Sequence, residues 1–133
     1  MSNALYDSGR ERFLGGDLDW DANTIKASLL DAADYTINLT TDDFWNDVPG
    51  AAVVADSSAL ASKTKVAGVA DAADVTWSTV SGDVSEYVNI RQDTGTSSTS
   101  ALIGNFDTAT GLPVTPNGGN INLVFNASGI FKL

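Results

Sequence analysis

The sequence predicts a mainly β protein, a single antiparallel β-sandwich or barrel-like domain with a short N-terminal helical arm. Three observations carry this. Short β-branched or aromatic runs recur through the chain, parted by turn clusters such as Ser81-Gly82-Asp83 and Pro116-Asn117-Gly118-Gly119. Of the 17 acidic residues all but Glu11 and Glu86 are Asp, a residue of turns and caps rather than of helix surfaces. The last residues, Ile130-Phe131-Lys132-Leu133, are apolar where a loose end would be polar, as expected of a strand tied into a sheet or an interface.

The elements follow in order. Residues 3–14 are expected to be helical, capped by Ser2 or Asn3, with Leu5, Tyr6, Phe13 and the stem of Arg10 on one stripe. Gly9 weakens that helix and Gly15-Gly16 stops it. This gives an arm over residues 1–16 and a β domain over 17–133. Residues 17–23 read as an Asp-rich turn, 24–30 as a strand, and 41–45 as a capped helical turn that Pro49-Gly50 ends. Further strands are expected at 51–54, 64–69, 75–80, 86–91, 101–106 and 121–125, the last after a hairpin-type turn at 116–119. Alternation over 75–79 and 87–90 predicts one buried and one wetted face. Residues 93–100 read as an exposed, flexible loop.

Composition narrows the function classes. A chain of 133 residues that is 43% hydrophobic can build a real core. Its net charge of −10 repels phosphate backbones, so no nucleic-acid partner is expected. Residues 1–17 hold no continuous apolar run, so no secretory signal is expected there, and no window approaches the ~20 apolar residues of a membrane span. Without Cys there is no thiol chemistry, and without His the commonest general base and transition-metal ligand is missing. Asp56, Asp71, Asp74, Asp83 and Glu86 could supply two-carboxylate chemistry, but no spacing singles out a pair. No G-x-S-x-G elbow or phosphate loop is present. The chain is therefore expected not to be an enzyme, with no catalytic residue, cofactor or metal.

Asp17-x-Asp19-x-Asp21 opens like a calcium loop, yet Ala22 and Ser28 stand where that loop needs Gly and Glu. A solvated turn around Trp20 is favoured over a cation site. Aromatic residues Tyr6, Phe13, Trp20, Tyr35, Phe44 and Trp45 gather in the first third of the chain, near Arg10 and Arg12. Aromatics and Arg anchor interfaces. Core packing is favoured for Trp20 and Trp45, while docking and self-packing weigh equally for the arm. A rival reading makes Trp20, Trp45 and Trp77 an exposed stacking platform of a carbohydrate-binding module.

The stretch GRERFLGGDLDWDANTIKASLLDAADY, residues 9–35, resembles the opening of a family of small tailed-bacteriophage structural proteins. Gly9, Arg10, Glu11, Phe13, Leu14, Trp20, Ile25, Lys26, Leu30 and Asp31 fit the positions of its pattern. Asp43-Phe44-Trp45-Asn46-Asp47 is similar to a second stretch of that family, and ATGLPVTPNGG with the terminal IFKL to its C-terminal part. The resemblance implies a virion component. The expected role is a capsid decoration (cement) protein on the outer head surface, made in the bacterial host cytoplasm and clamping neighbouring major capsid proteins. A homotrimer is the preferred oligomer, and a tail or neck structural protein is the alternative. The residues expected at the contact are Leu5, Tyr6, Arg10, Arg12, Phe13 and Leu14 from the arm, with Ile130, Phe131 and Leu133 from the C-terminal strand.

Overall fold

The structure, a computed structural model, describes residues 3–109 and 111–133. Along the chain run β1 (Ala4–Leu5), α1 (Asp7–Gly15), β2 (Ile25–Leu30), β3 (Val53–Asp56), β4 (Val69–Ala70) and β5 (Val75–Trp77). They are followed by β6 (Tyr87–Gln92), β7 (Leu102–Phe106), β8 (Ile121–Leu123) and β9 (Phe131–Lys132). Five strands make an antiparallel sheet in the order β1-β7-β6-β2-β3, and β4-β9 and β5-β8 form two small antiparallel pairs. The expected mainly β single domain is what the chain forms.

One face of the large sheet is apolar. The period-2 pattern of strands sends Ile25, Ala27 and Leu29 of β2, and Val88 and Ile90 of β6, to the same side. There they share a core with Trp77, Val80 and Leu123 around β5 and β8, and with Leu18, Trp20 and Leu60. Burying one such aliphatic side chain contributes roughly 1.5–3 kcal/mol. Between β6 and β7 the register slips. Ile90 faces Gly104 and Arg91 faces Leu102, leaving Ile103 as the extra residue of a bulge. Gly104 leaves room here for its neighbours, since a Cβ there would lie 3.0 Å from Leu5 and 3.1 Å from the Phe106 ring and press both aside.

The second face departs from expectation. Residues 87–90 do not alternate between buried and wetted; Asn89 and Arg91 of β6 and Ser28 of β2 are also buried, beneath a cover that includes Tyr35, Val48 and Ala52. Several of the polar groups here are tied to one another, as burial favours. Arg91 donates from Nη1 to Ser28 Oγ at 2.7 Å and to Asp56 Oδ1 at 3.0 Å, and from Nη2 to Asp56 Oδ2 at 2.7 Å. Its guanidinium also lies 3.8 Å over the centre of the Trp45 ring. Farther along, the Asn89 amide donates to the Tyr6 hydroxyl at 2.9 Å, Tyr6 meets Tyr35 at 3.0 Å, and Tyr35 donates to Asp42 at 2.7 Å. Burial pushes the Tyr6 hydroxyl up to about 12 and raises Tyr35 as well, so both stay neutral donors.

The N-terminal arm is corrected most. Residues 3–14 are not one helix. Ala4 and Leu5 pair with Asn105 and Gly104 as an edge strand, which sends Leu5 and Tyr6 to opposite faces, and the helix begins only at Asp7. Asn3 caps no helix; its side-chain oxygen accepts the Asp107 and Thr108 N–H groups at 2.9 and 3.1 Å. Ser2 lies outside the described residues. Gly9 serves close approach, because a Cβ there would stand 2.7 Å from the Leu102 carbonyl oxygen. Gly16 ends α1 in the left-handed region at φ 81°, as its position promised. Among the described residues, the stretch before residue 17 thus holds a short edge strand and a nine-residue helix packed against β7.

Other boundaries moved for local reasons. The strand expected at 64–69 is a 3₁₀ turn over Val66–Gly68, with Ala67 at φ 56°, before the two residues of β4. Thr79 at φ 53° lies past the end of β5. Residues 50–52 form a 3₁₀ turn ahead of β3, and β8 stops at Leu123. The helical turn expected at 41–45 sits at Trp45–Asp47, with Asp47 accepting the Asp43 and Phe44 N–H groups. Gly118 turns the chain at φ 88°, but not into a hairpin, since β8 pairs with β5. Thr110, within the C-terminal motif, lies outside the described residues. Residues 94–99 are exposed yet laced together by the Thr94 hydroxyl, which meets Thr99 and Ser100.

Two outcomes follow for stability. In a free helix Gly9→Ala would gain up to about 1 kcal/mol; against β7 it is expected to cost about 1–3 kcal/mol of strain, read as a lower denaturant midpoint. Asp56 is the second case. Its burial opposes ionisation, but hydrogen bonds from Arg91 and Ser28 outweigh that and lower its pKa. Its stabilisation is thus full above an unfolded carboxyl pKa of about 3.9 and is lost as pH falls through the lower folded value. Asp56→Asn strands Arg91, whose side chain is 4% exposed against 36% for Asp56. A loss of about 1–3 kcal/mol is expected at neutral pH, reduced from the fully buried case by solvent. That deficit should shrink in acid; a deficit independent of pH would contradict the pairing.

Candidate docking surface between the first helix and the last strand

β9 is held by β4. Ile130 N–H donates to the Ala70 carbonyl at 2.7 Å and Leu133 N–H to that of Gly68 at 3.1 Å. The approach needs Gly129, at φ 107°, where a Cβ would fall 2.1 Å from a Val69 methyl. From this strand Phe131 sets its ring edge-on to Trp20, with centroids 5.4 Å apart, and 6.1 Å from Phe13. Trp20 is fixed in turn by donating its indole N–H to the Asp71 carbonyl at 3.2 Å. The end of α1, the 17–23 turn and β9 thereby meet in one seam.

The seam is open to solvent along its length. A groove of about 400 Å³ runs over Phe13, Leu18, Trp20, Ala70 and Phe131. A second, of about 320 Å³, lies between Leu5, Phe13, Leu14 and Leu133, with Arg10 and Lys132 at its sides. Leu14 is 90% exposed and Leu133 60%, and Val66 nearby is 78% exposed. Large apolar side chains this bare, grouped around grooves, mark a contact surface more than chance does.

Of the nine residues expected at a contact, Leu5, Arg10, Phe13, Leu14, Ile130, Phe131 and Leu133 all line this seam or its continuation between β1 and β9. Two do not. Tyr6 is wholly buried on the other face of the sheet, and Arg12 is turned onto the Phe44 ring, 4.4 Å from its centre. Lys132, Lys65 and Leu18 were missed. Lys132 stands between Phe131 and Leu133, and that alternation at a strand was the available signal for it.

Several of the acidic residues are engaged locally. Asp19 accepts the Asp21 and Ala22 N–H groups at 3.0 and 3.1 Å, which lowers its pKa, and Asp21 pairs with Lys65 at 2.7 Å. Asp17, Asp19 and Asp21 do not converge as cation ligands. Among the described residues the acids that do come together are Asp31, Asp34 and Asp83, within 4.8 Å of one another, and Asp31 already accepts the Ala33 N–H. Asp71, Asp74 and Glu86 each accept a backbone N–H, from Ala72, Phe125 and Ala32, so these carboxylates serve the fold. The tryptophans form no stacking platform. Trp20 and Trp77 are buried, Trp77 donating to the Ala27 carbonyl at 3.3 Å, and Trp45 has Arg91 on its face.

No protein-family model and no curated protein sequence matches the chain.

The seam's two layers should separate by mutation. Phe131→Ala removes the contacts to Trp20 and Phe13 and is expected to cost about 1–3 kcal/mol, with a shift in tryptophan emission. Leu14→Ser, at an exposed site, should change stability by less than about 0.5 kcal/mol. Equal costs at the two positions would mean that Leu14 is not the free surface its exposure implies.

Proposed function

We propose that the chain is a structural protein of a tailed-bacteriophage virion, a capsid decoration (cement) protein on the outer surface of the head, which docks through the α1–β9 seam. The observation that carries the reading is the bare apolar seam itself, with Leu14 and Leu133 exposed above Phe13 and Phe131. The sequence stretches that resemble the phage family include both strips that the fold brings together here: Gly9 to Leu14 from one end and Ile130 to Leu133 from the other. A cement protein needs a firm body and a surface that buries area, not a reaction. In this role the chain has no catalytic residue and no cofactor, its partner is the major capsid protein, and a homotrimer is the preferred state. The acidic body also avoids competing for packaged DNA.

Purified heads lacking the protein test this by co-sedimentation. The native chain should bind, and a variant carrying Leu14→Asp with Leu133→Asp should bind at least ~10-fold more weakly while remaining folded. Binding to tails or necks and not to heads would overturn the decoration role, and undiminished binding by the variant would remove the seam from it.

A further inference from the structure

We propose that the seam receives an extended, apolar segment of a partner protein that carries acidic side chains, laid between β1 and β9. This rests on the seam being a docking surface and adds the chemistry of what docks. Among the described residues, β1 has a strand neighbour only in β7, and β9 only in β4. Both line a groove of about 280 Å³, whose walls include Ala4, Leu5, Ile130 and Phe131. It shares Leu5, Arg10 and Lys132 with the groove beneath Leu14, so the two form one channel. A slot bordered by two strands that each lack a neighbour is a template for an added strand. The two borders are only two residues long, so the backbone can give an incoming strand few hydrogen bonds. Apolar side chains lying over Leu5, Phe13 and Phe131 must supply most of the hold.

Charge identifies the rest of the occupant. Among the described residues, Arg10 and Lys132 are the only ionisable side chains lining the two grooves, on a chain with 17 acidic and 7 basic residues. Arg10 meets Asp7 at 3.4 Å, with both side chains about half exposed. An exposed pair of this kind contributes little and exchanges readily. An acidic segment is repelled by most of this protein and accepted in this channel, which sets where and in which register it lands. A second copy docking symmetrically through the same seam would instead bring the two basic rims together.

Selection of a random peptide-display library on the immobilised full chain tests the assignment. Enriched segments should alternate apolar residues with Asp or Glu, weaken as salt rises, and bind the Arg10→Glu, Lys132→Glu double variant at least ~10-fold more weakly. Leu14→Asn, as a second exposed substitution, should also weaken them. Enrichment of segments without acids, enrichment of none, or equal binding to the charge-reversed variant overturns the proposal. So does self-association of the native chain that the double variant abolishes, because the occupant is then a second copy. The head assay separates the two readings. Native binding to heads that the double variant retains in full sinks this inference and spares the decoration role; acidic segments enriched on a chain that ignores heads do the reverse.

Discussion

Everything at the seam depends on how closely α1 lies against β7. At Gly9 the helix approaches the strand so tightly that a single methyl group would stand 2.7 Å from a carbonyl oxygen. Protein interiors are packed without slack, so any displacement there is transmitted. Phe13 is one helical turn beyond Gly9, on the same side of α1, and its ring meets Phe131. Lifting the helix would part Phe13 from Phe131 and leave the Phe131 ring with Trp20 as its remaining aromatic neighbour. The groove is thus a consequence of a backbone contact made some distance away, between residues that never touch solvent.

The sheet behind this contact is buried on both sides, but by unlike chemistry. One face is apolar and gains by area; the other carries Ser28, Asn89, Arg91 and Asn105. Hydrogen-bonded groups of this kind add modest net stability and impose a large penalty on any wrong register. A one-residue slip of β2 on β6 would part Ser28 from Asn89 and turn Arg91 away from Asp56. The polar face therefore specifies alignment more than it holds the protein together, and it leaves the apolar face to do the holding. Tyr6 links the two jobs, since it follows β1 and ends in the polar network. An exposed docking role for Tyr6 was never compatible with that position.

How much was legible in the sequence varied with how local the cause was. Gly15-Gly16 as a stop, the strand expected at 24–30 and a strand within the apolar 130–133 end were readable because turn chemistry and alternation act on neighbours. The start of the first helix was not. Tyr6 and Leu5 fit a helical stripe equally well, and only pairing with β7, about a hundred residues away, makes Ala4–Leu5 a strand. Gly9 read as a weak helix position for the same reason. Residues 87–91 alternate properly, but alternation cannot report that a second layer covers the polar side. For the seam, the residues at each end were visible as apolar and exposed in character. That they lie side by side, with Trp20 as their floor, is a tertiary fact.

The distribution of charge gives the seam its meaning. A net charge of −10 makes copies repel one another, a force that fades beyond about 8 Å at physiological ionic strength. Apolar burial works only at contact. On such a body repulsion is spread widely, while the seam offers apolar contact beside two basic side chains. In the proposed role that confinement matters more than strength. Many copies on a shell need only modest affinity each, since the lattice repeats the site. What each copy needs is a contact that cannot be satisfied elsewhere. An apolar channel flanked by Arg10 and Lys132, on a body dominated by Asp, provides that selectivity from two side chains and the shape of one groove.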